Sequence, residues 1–343
     1  MPEITYRNRR ANRIENDDVR VTVLVEGGHI AEIRHKATDV NPLWTPPWPS
    51  IEPSTWDRAR NPEYGDDAES KLLSGLMGHN VCLDLFGEPS PEEAAAGMTV
   101  HGEASIRAHQ IATEGNVLTQ HCTLPEAGLE FDRRIELRGP VLTIDETVLN
   151  TTALDRPIAW TEHVTIGPPF LERGSTQLRA PGTKSYSADT GTDFDWPVAP
   201  LPGGGQQDLR TYTAKEVSGG FTTHLMDPDS KRAFFFAYSP ASKVVLGYIW
   251  DRSDFPWLGI WEENCSRKQP PWNGETLTRG LEFGASPLAE SRRNMIDRNR
   301  MFGTPAYRWA PAKTALKVRY YALIATADAI PEGLSQLPVA LPG

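Results

Sequence analysis

The 343-residue sequence predicts an all-β fold: a large antiparallel sandwich with few short helices. Three observations carry this expectation. Apolar and polar residues alternate with a period of two in segment after segment, the pattern of strands with one buried face. Gly- and Pro-containing turns join those segments at short spacing, as in antiparallel sandwiches. Helix signals are confined to two places.

The elements follow in chain order. Val19, Val21, Val23 and Val25 alternate with Arg20, Thr22 and Leu24, which predicts a strand. Glu26-Gly27-Gly28 turns the chain into a returning strand, His29 to Arg34. Ser90-Pro91-Glu92-Glu93 combines an N-cap serine, proline at the first helical position and glutamate three residues after the cap. The short helix that follows ends at Gly97 and delivers the chain to His101. Strands are expected at Val117 to Thr123, through Leu129, Phe131, Ile135 and Leu137, and at Val141 to Leu149 after the Arg138-Gly139-Pro140 turn. Ile158 to Thr161 reads as a strand that Gly167-Pro168-Pro169-Phe170 breaks. Ser286-Pro287 predicts a second helix reaching about Met301. Leu316, Val318, Tyr320, Ala322 and Ile324 form the last alternating run.

Two loops stand out: the Pro-rich run Asn41 to Pro49, and Leu201-Pro202-Gly203-Gly204-Gly205, expected to be exposed. Strand signals continue on both sides of each, so a single domain over residues 1–343 is expected rather than two joined by a linker.

Bulk properties narrow the function. The net charge of −10 argues against a general phosphate-backbone binder, so no nucleic-acid partner is expected. No run approaches 18 apolar residues, and Met1 to Arg7 contains no apolar leader core, so no membrane partner or secretory signal is expected. Cys82, Cys122 and Cys265 are an odd, scattered set that suggests reduced thiols and a cytoplasmic setting.

Three segments carry titratable side chains in settings suited to proton transfer. His101 lies between Val100 and Gly102, where the glycine lets a ligand approach the backbone. The same dipeptide also suits a loop histidine bonded to a carbonyl. His163 sits near the end of a strand, where imidazole can face a cleft; it could equally be a strand-edge histidine paired with Glu162. Glu282 stands between Leu281 and Phe283 where a buried carboxylate would have a raised pKa, unless it simply faces solvent.

Aromatic residues supply a second theme. Trp250, Phe255, Trp257, Trp261 and Trp272 fall close together, and Trp44 and Trp48 lie in the Pro-rich loop. Flat aromatic surfaces stack on the C–H faces of sugar rings, although some of these must be core. Trp257 and Trp261 are the candidates for a sugar platform. Arg107, Arg133 and Arg279 lie near the three segments and would suit a phosphorylated or acidic sugar.

Other chemistries lack their motifs. No P-loop, dinucleotide glycine fingerprint, zinc-protease helix, Cys-x-x-Cys or nucleophile elbow is present, and no cofactor is expected. His101, His163 and Glu282 are a possible metal-ligand set, but their spacing gives that no specific support, and no metal is expected. A two-carboxylate glycosidase arrangement stays open.

In order and character, the segments resemble the aldose 1-epimerase, or galactose mutarotase-like, family as a divergent member. The resemblance rests on Gly27-Gly28-His29-Ile30-Ala31, Val100-His101-Gly102, Asn150-Thr151 followed by Glu162-His163, Phe255-Pro256-Trp257-Leu258-Gly259-Ile260-Trp261, and Gly280-Leu281-Glu282. It covers roughly residues 19 to 325. It implies a β-supersandwich and interconversion of the anomers of a sugar or sugar derivative. By this resemblance Glu282 takes the proton from the anomeric hydroxyl, His163 protonates the ring oxygen, and His101 positions the sugar. Trp257, Trp261, Arg107 and Arg279 would contact the substrate. Asp195 and Asp208 are candidates for the family's sugar-binding aspartate. Where the family pattern reads Asn-His-x-Tyr-Phe-Asn, this chain has Glu162-His163-Val164-Thr165-Ile166. A non-catalytic sugar-binding protein and an oligosaccharide lyase or hydrolase are the alternatives on the same fold.

Overall fold

Two large antiparallel sheets face one another in the computed structural model, which describes residues 3–342. In spatial order, the first sheet runs Ile4–Tyr6, Arg9–Glu15, Val19–Leu24, Ile30–His35, His79–Asp84, Arg156–Ile166, Leu277–Gly284, Trp257–Asn264, Ser218–Met226, Gly182–Ser187 and Thr192–Asp195. Arg308–Ala310 pairs with the start of Arg156–Ile166. The second sheet runs Gln177–Arg179, Arg232–Ser239, Val244–Asp251, Ala315–Thr326, Val141–Asn150, Leu129–Arg138, Val117–Leu124 and Gln110–Glu114. The expected hairpins and alternating strands are therefore present, and the fold is all-β.

Alternation explains the core. Trp160, Val164, Leu281 and Phe283 of the first sheet meet Phe131, Ile144, Tyr248 and Tyr320 of the second in one buried cluster. The intervening residues of the first sheet point to its other face, where the site forms.

At the centre of the sandwich lies a polar network. Arg133 donates to Glu146 at 2.6 Å and to Glu162 at 3.0 Å, and all three side chains are fully buried. Glu162 also contacts His79 Nε2 at 2.8 Å and accepts from the Tyr320 hydroxyl at 3.0 Å and the Trp160 indole at 3.1 Å. So Glu162 belongs to the core, and the expected alternative of a Glu162 partner for His163 does not arise: neighbouring residues of a strand face opposite ways.

The first helix forms as expected, over Pro91–Ala95. Ser90 Oγ accepts from the Glu93 amide at 3.3 Å and Glu93 Oε2 accepts from the Ser90 amide at 2.8 Å. The second differs from expectation. It spans Arg292–Arg298 and is capped by Ser291, not Ser286. The chain before it bends at Ala285, Pro287 and Leu288, and its backbone passes close to Gly87, where an added Cβ would lie 2.3 Å from Ala289 C. Gly203–Gly205 sits at the exposed tip of the Val198–Pro200/Gln206–Asp208 hairpin, as expected. Among the described residues, no helix is long and apolar enough to cross a membrane.

Candidate functional site

Four neighbouring strands of the first sheet build the site: β1 (His79–Asp84), β2 (Arg156–Ile166), β3 (Trp257–Asn264) and β4 (Leu277–Gly284). They lie side by side in the order β1, β2, β4, β3. Register places His163 opposite Asn80 on one side and Glu282 on the other, with Glu282 opposite Gly259. Paired residues share a face, so His163 and Glu282 point together away from the core.

Glycine makes room for the carboxylate. A Cβ added at Gly280 would sit 2.2 Å from Glu282 Oε1, and one at Gly259 would lie 3.4 Å from Glu282 Oε2. In the space so left, Glu282 Oε1 lies 3.0 Å from His163 Nε2. The other imidazole nitrogen, Nδ1, is 2.9 Å from Thr165 Oγ1 on the same face of β2. This second contact fixes the ring orientation.

His101 arrives from the loop after the Pro91–Ala95 helix. It adopts φ 61° and Gly102 follows at φ 75°. Gly102 is required there, because a Cβ would lie 2.2 Å from Leu83 O, and φ is in the left-handed region. Leu83 N donates to His101 O at 3.2 Å, which ties the loop to β1. His101 Nδ1 donates to Phe86 O at 2.6 Å. A carbonyl only accepts, so the proton is on Nδ1 and Nε2 is left as an acceptor for a hydroxyl. The His101 and His163 rings are 5.1 Å apart, edge to face.

Burial sets the protonation of these groups. It raises the Glu282 carboxyl to about 8. It lowers His101 to about 4 and holds His163 well below the ordinary imidazole range, with the neighbouring His101 adding to the effect. Near neutrality Glu282 therefore carries the proton of the pair and His163 is neutral, with Oε1 and Nε2 3.0 Å apart.

The cleft above the pair has a cavity volume of about 90 Å³ and opens to solvent. Trp261, Trp272, Phe221 and Ala289 line it, together with Leu72, Leu73 and Leu76 from the Ser70–Leu73 helix and the turn after it. Arg267 and Glu69 lie at its wall, joined at 3.0 Å. Trp272 stacks on Trp44 at 6.2 Å, which anchors that wall to the Pro-rich loop.

Of the residues expected from sequence to form the site, His101, His163, Glu282 and Trp261 line this one cleft. The others lie elsewhere. Arg279 has the same parity as Leu281, so it faces the core side, buried against Glu262 at 2.9 Å. Trp257 is fully buried and donates to Pro305 O at 3.0 Å. Arg107 pairs with Glu103 at 2.5 Å beside a separate cavity. Asp195 is exposed and bound to Lys184 at 2.9 Å, and Asp208 is bound to Arg210 at 2.6 Å. Arg133 is in the core network.

Sequence reasoning missed Arg267, Glu69, Phe221 and the leucine wall. The Leu72-Leu73-x-x-Leu76 spacing was the available signal, since it gives a short helix one apolar side. A second cleft, with a cavity volume of about 50 Å³, is lined by Thr222, Ile260 and Glu262 from the core-facing side of the sheet under the 198–208 hairpin. Its Glu262 is tied to Arg279, and no acid–base pair faces it. Among the described residues, no group of three or more His, Cys, Asp or Glu side chains is placed to hold a metal ion.

No family model matches the sequence, and neither does any curated protein. Solved structures do match. A galactose mutarotase-like protein from Clostridium acetobutylicum shares 14% identity at TM-score 0.64, over 95% of this chain and 98% of that one. A galactose mutarotase-like protein from Lactobacillus casei shares 16% identity at TM-score 0.61, over 92% and 100%. A galactose mutarotase related enzyme from Lactobacillus acidophilus shares 11% identity at TM-score 0.59, over 94% and 99%. Identity this low with nearly complete overlap shows a shared fold. The chain has the galactose mutarotase-like β-sandwich fold, in sequence a divergent example of it.

Proposed function

We propose that the protein is an aldose 1-epimerase-like isomerase that interconverts the anomers of a sugar by general acid–base catalysis. The observation that carries this reading is the buried His163–Glu282 contact of 3.0 Å at the floor of a cleft that His101 and Trp261 also line.

Anomer exchange removes a proton from the anomeric hydroxyl and places one on the ring oxygen. The ring opens, the C1–C2 bond rotates, and closure reverses both transfers. The net proton change is zero, so the catalyst needs one proton shared between two basic groups. The His163–Glu282 pair offers that. At rest the pair's proton sits on Glu282; its passage to His163 leaves a carboxylate that accepts the anomeric proton and an imidazolium that delivers its proton to the ring oxygen. His101 Nε2 accepts from a sugar hydroxyl, while its Nδ1–H stays on Phe86 O. Trp261 offers a flat face for the ring's C–H bonds.

Positioned proton transfer of this kind contributes typically ~10²–10⁴-fold. The test is polarimetry of freshly dissolved single anomers across a panel of aldoses. Acceleration that falls by about 10²–10⁴-fold in Glu282→Gln is expected. Folded protein that accelerates no aldose contradicts the proposal; saturable binding without acceleration assigns a sugar-binding protein instead.

A further inference from the structure

The cleft's chemistry is uneven, and this bears on which sugar it takes; the inference rests on the isomerase reading above. Its hydrogen-bonding side chains are His101, His163 and Glu282, with Glu69 and Arg267 at the wall. The rest of the lining is apolar apart from the indole N–H groups of Trp261 and Trp272. Leu72, Leu73 and Leu76 are each at least nine-tenths buried and belong to one apolar cluster with Trp44 and Trp272. A sugar hydroxyl pressed against this wall would lose water and gain no partner, whereas a C–H or methyl group would gain contact.

Charge points the same way. Among the residues that line the cleft, Arg267 is the sole lysine or arginine. It is committed already. Its Nη1 lies 3.0 Å from Glu69 Oε2, and its Nε lies 3.7 Å from Glu263 Oε2. Its guanidinium lies 4.8 Å from the centre of the Trp272 ring and 5.5 Å from that of Trp261. One guanidinium against two carboxylates leaves no net positive charge to offer a phosphate or a sugar carboxylate. Arg107, Arg133 and Arg279 do not reach the cleft. An anionic sugar would therefore be desolvated beside Glu69 without compensation.

We propose that the cleft selects a neutral, deoxygenated aldose over its fully hydroxylated parent and over phosphorylated or carboxylated derivatives. Arg267 acts here as a specificity residue: held by two carboxylates beside Trp261 and Trp272, it serves as wall rather than as anion receptor.

The test measures kcat/KM for anomer exchange with matched sugars: a 6-deoxyaldohexose, its parent aldohexose, the 6-phosphate of that hexose and its uronate. The deoxy sugar is expected to exceed the parent by about 10- to 100-fold, the range by which an apolar pocket discriminates one small group. The two anions are expected to fall below the parent. Glu69→Gln, at a half-exposed position, removes one of the two carboxylates on Arg267 and is expected to raise the anion-to-parent ratio. Acceleration in the reverse order, with the 6-phosphate or uronate matching or exceeding the deoxy sugar, overturns the specificity alone and leaves the isomerase standing. Acceleration of the parent equal to that of the deoxy sugar overturns it too. If folded protein accelerates none of the four and no other aldose in the wider panel, the isomerase reading is overturned and this inference with it.

Discussion

Gly280→Ala tests the site without altering any of its charges. The glycine lies on β4 two residues before Glu282 and on the same face. An added methyl carbon would sit 2.2 Å from Glu282 Oε1, whereas ordinary contact begins near 3.4 Å. The carboxylate must yield by roughly 1 Å, and a displacement of that size costs on the order of 10²-fold in rate when reacting groups are held in line. The rest of the molecule has less to lose. Gly280 is in strand geometry and not in the left-handed region, so alanine adds no backbone strain, and overpacking costs about 1–3 kcal/mol. Gly284→Ala is the matched control: same strand, same face, but its methyl would press on Thr161 Oγ1 at 2.4 Å and leave Glu282 in place. Polarimetry gives the rates and urea unfolding the stabilities. The expected result is destabilisation in both variants, larger in Gly284→Ala because its methyl also meets the Thr161 backbone, with a loss of kcat near 10²-fold in Gly280→Ala alone. If folded Gly280→Ala keeps kcat within threefold or so of the parent, the placement of Glu282 in the reaction is refuted.

Three further outcomes follow from the same geometry. Six buried histidines (His29, His79, His101, His109, His163 and His224) have pKa values pushed below their ordinary 6.5, by burial above all. The unfolded chain therefore binds more protons there, and stability rises with pH up to about 6.5. Glu146 and Glu282 are raised from 4.5 to about 8, also by burial, so the folded state binds more protons and stability falls as pH climbs toward 8. Thermal melts should peak between these limits, near pH 6.5, and Glu282→Gln should flatten the alkaline side; a monotonic rise to pH 8 would contradict the buried-carboxyl assignment. Glu162→Ala leaves Arg133 and His79 short of a partner in the core and should cost about 3–5 kcal/mol by urea unfolding, while a loss below about 1 kcal/mol would show the network to be slack. His101→Ala removes a neutral acceptor and should lower kcat/KM about tenfold, mostly through KM, a smaller loss than that of Glu282→Gln.

Much of this arrangement is legible in the sequence where one residue type decides the outcome. Period-two valines and leucines set the strands, and glycines set the turns and the tight approach at Gly102. Parity explains both the successes and the failures. Glu282 and Leu281 face opposite ways, so a carboxylate between two core residues must enter the other face. The same rule puts Arg279, three positions earlier, on the core side, and sequence proximity alone misplaced it. It also separates His163 from Glu162. The wall of the cleft was hidden for a different reason. Leu72, Leu73 and Leu76 lie in a four-residue helix and its turn; their spacing marks an apolar side but not what it covers, and only the fold brings them over β2 and β4. Arg267 follows β3 in a loop, where no pattern announces its stacking on Trp272. The Ser-Pro pair at 286 has a helix-start composition, but the helix begins only after Ser291, whose hydroxyl accepts from the Asn294 amide.

The account's central claim is that His163 and Glu282 exchange protons with an anomeric centre. Magnetisation-transfer NMR on a deoxy aldose at anomeric equilibrium tests it most directly, because it reads α–β exchange with no net reaction. Wild-type protein should raise the exchange rate in proportion to its concentration, and Glu282→Gln should lower that increment by about 10²–10⁴-fold at unchanged fold. Exchange in the presence of the folded wild-type protein that equals the buffer rate, or an undiminished increment in Glu282→Gln, would contradict the claim.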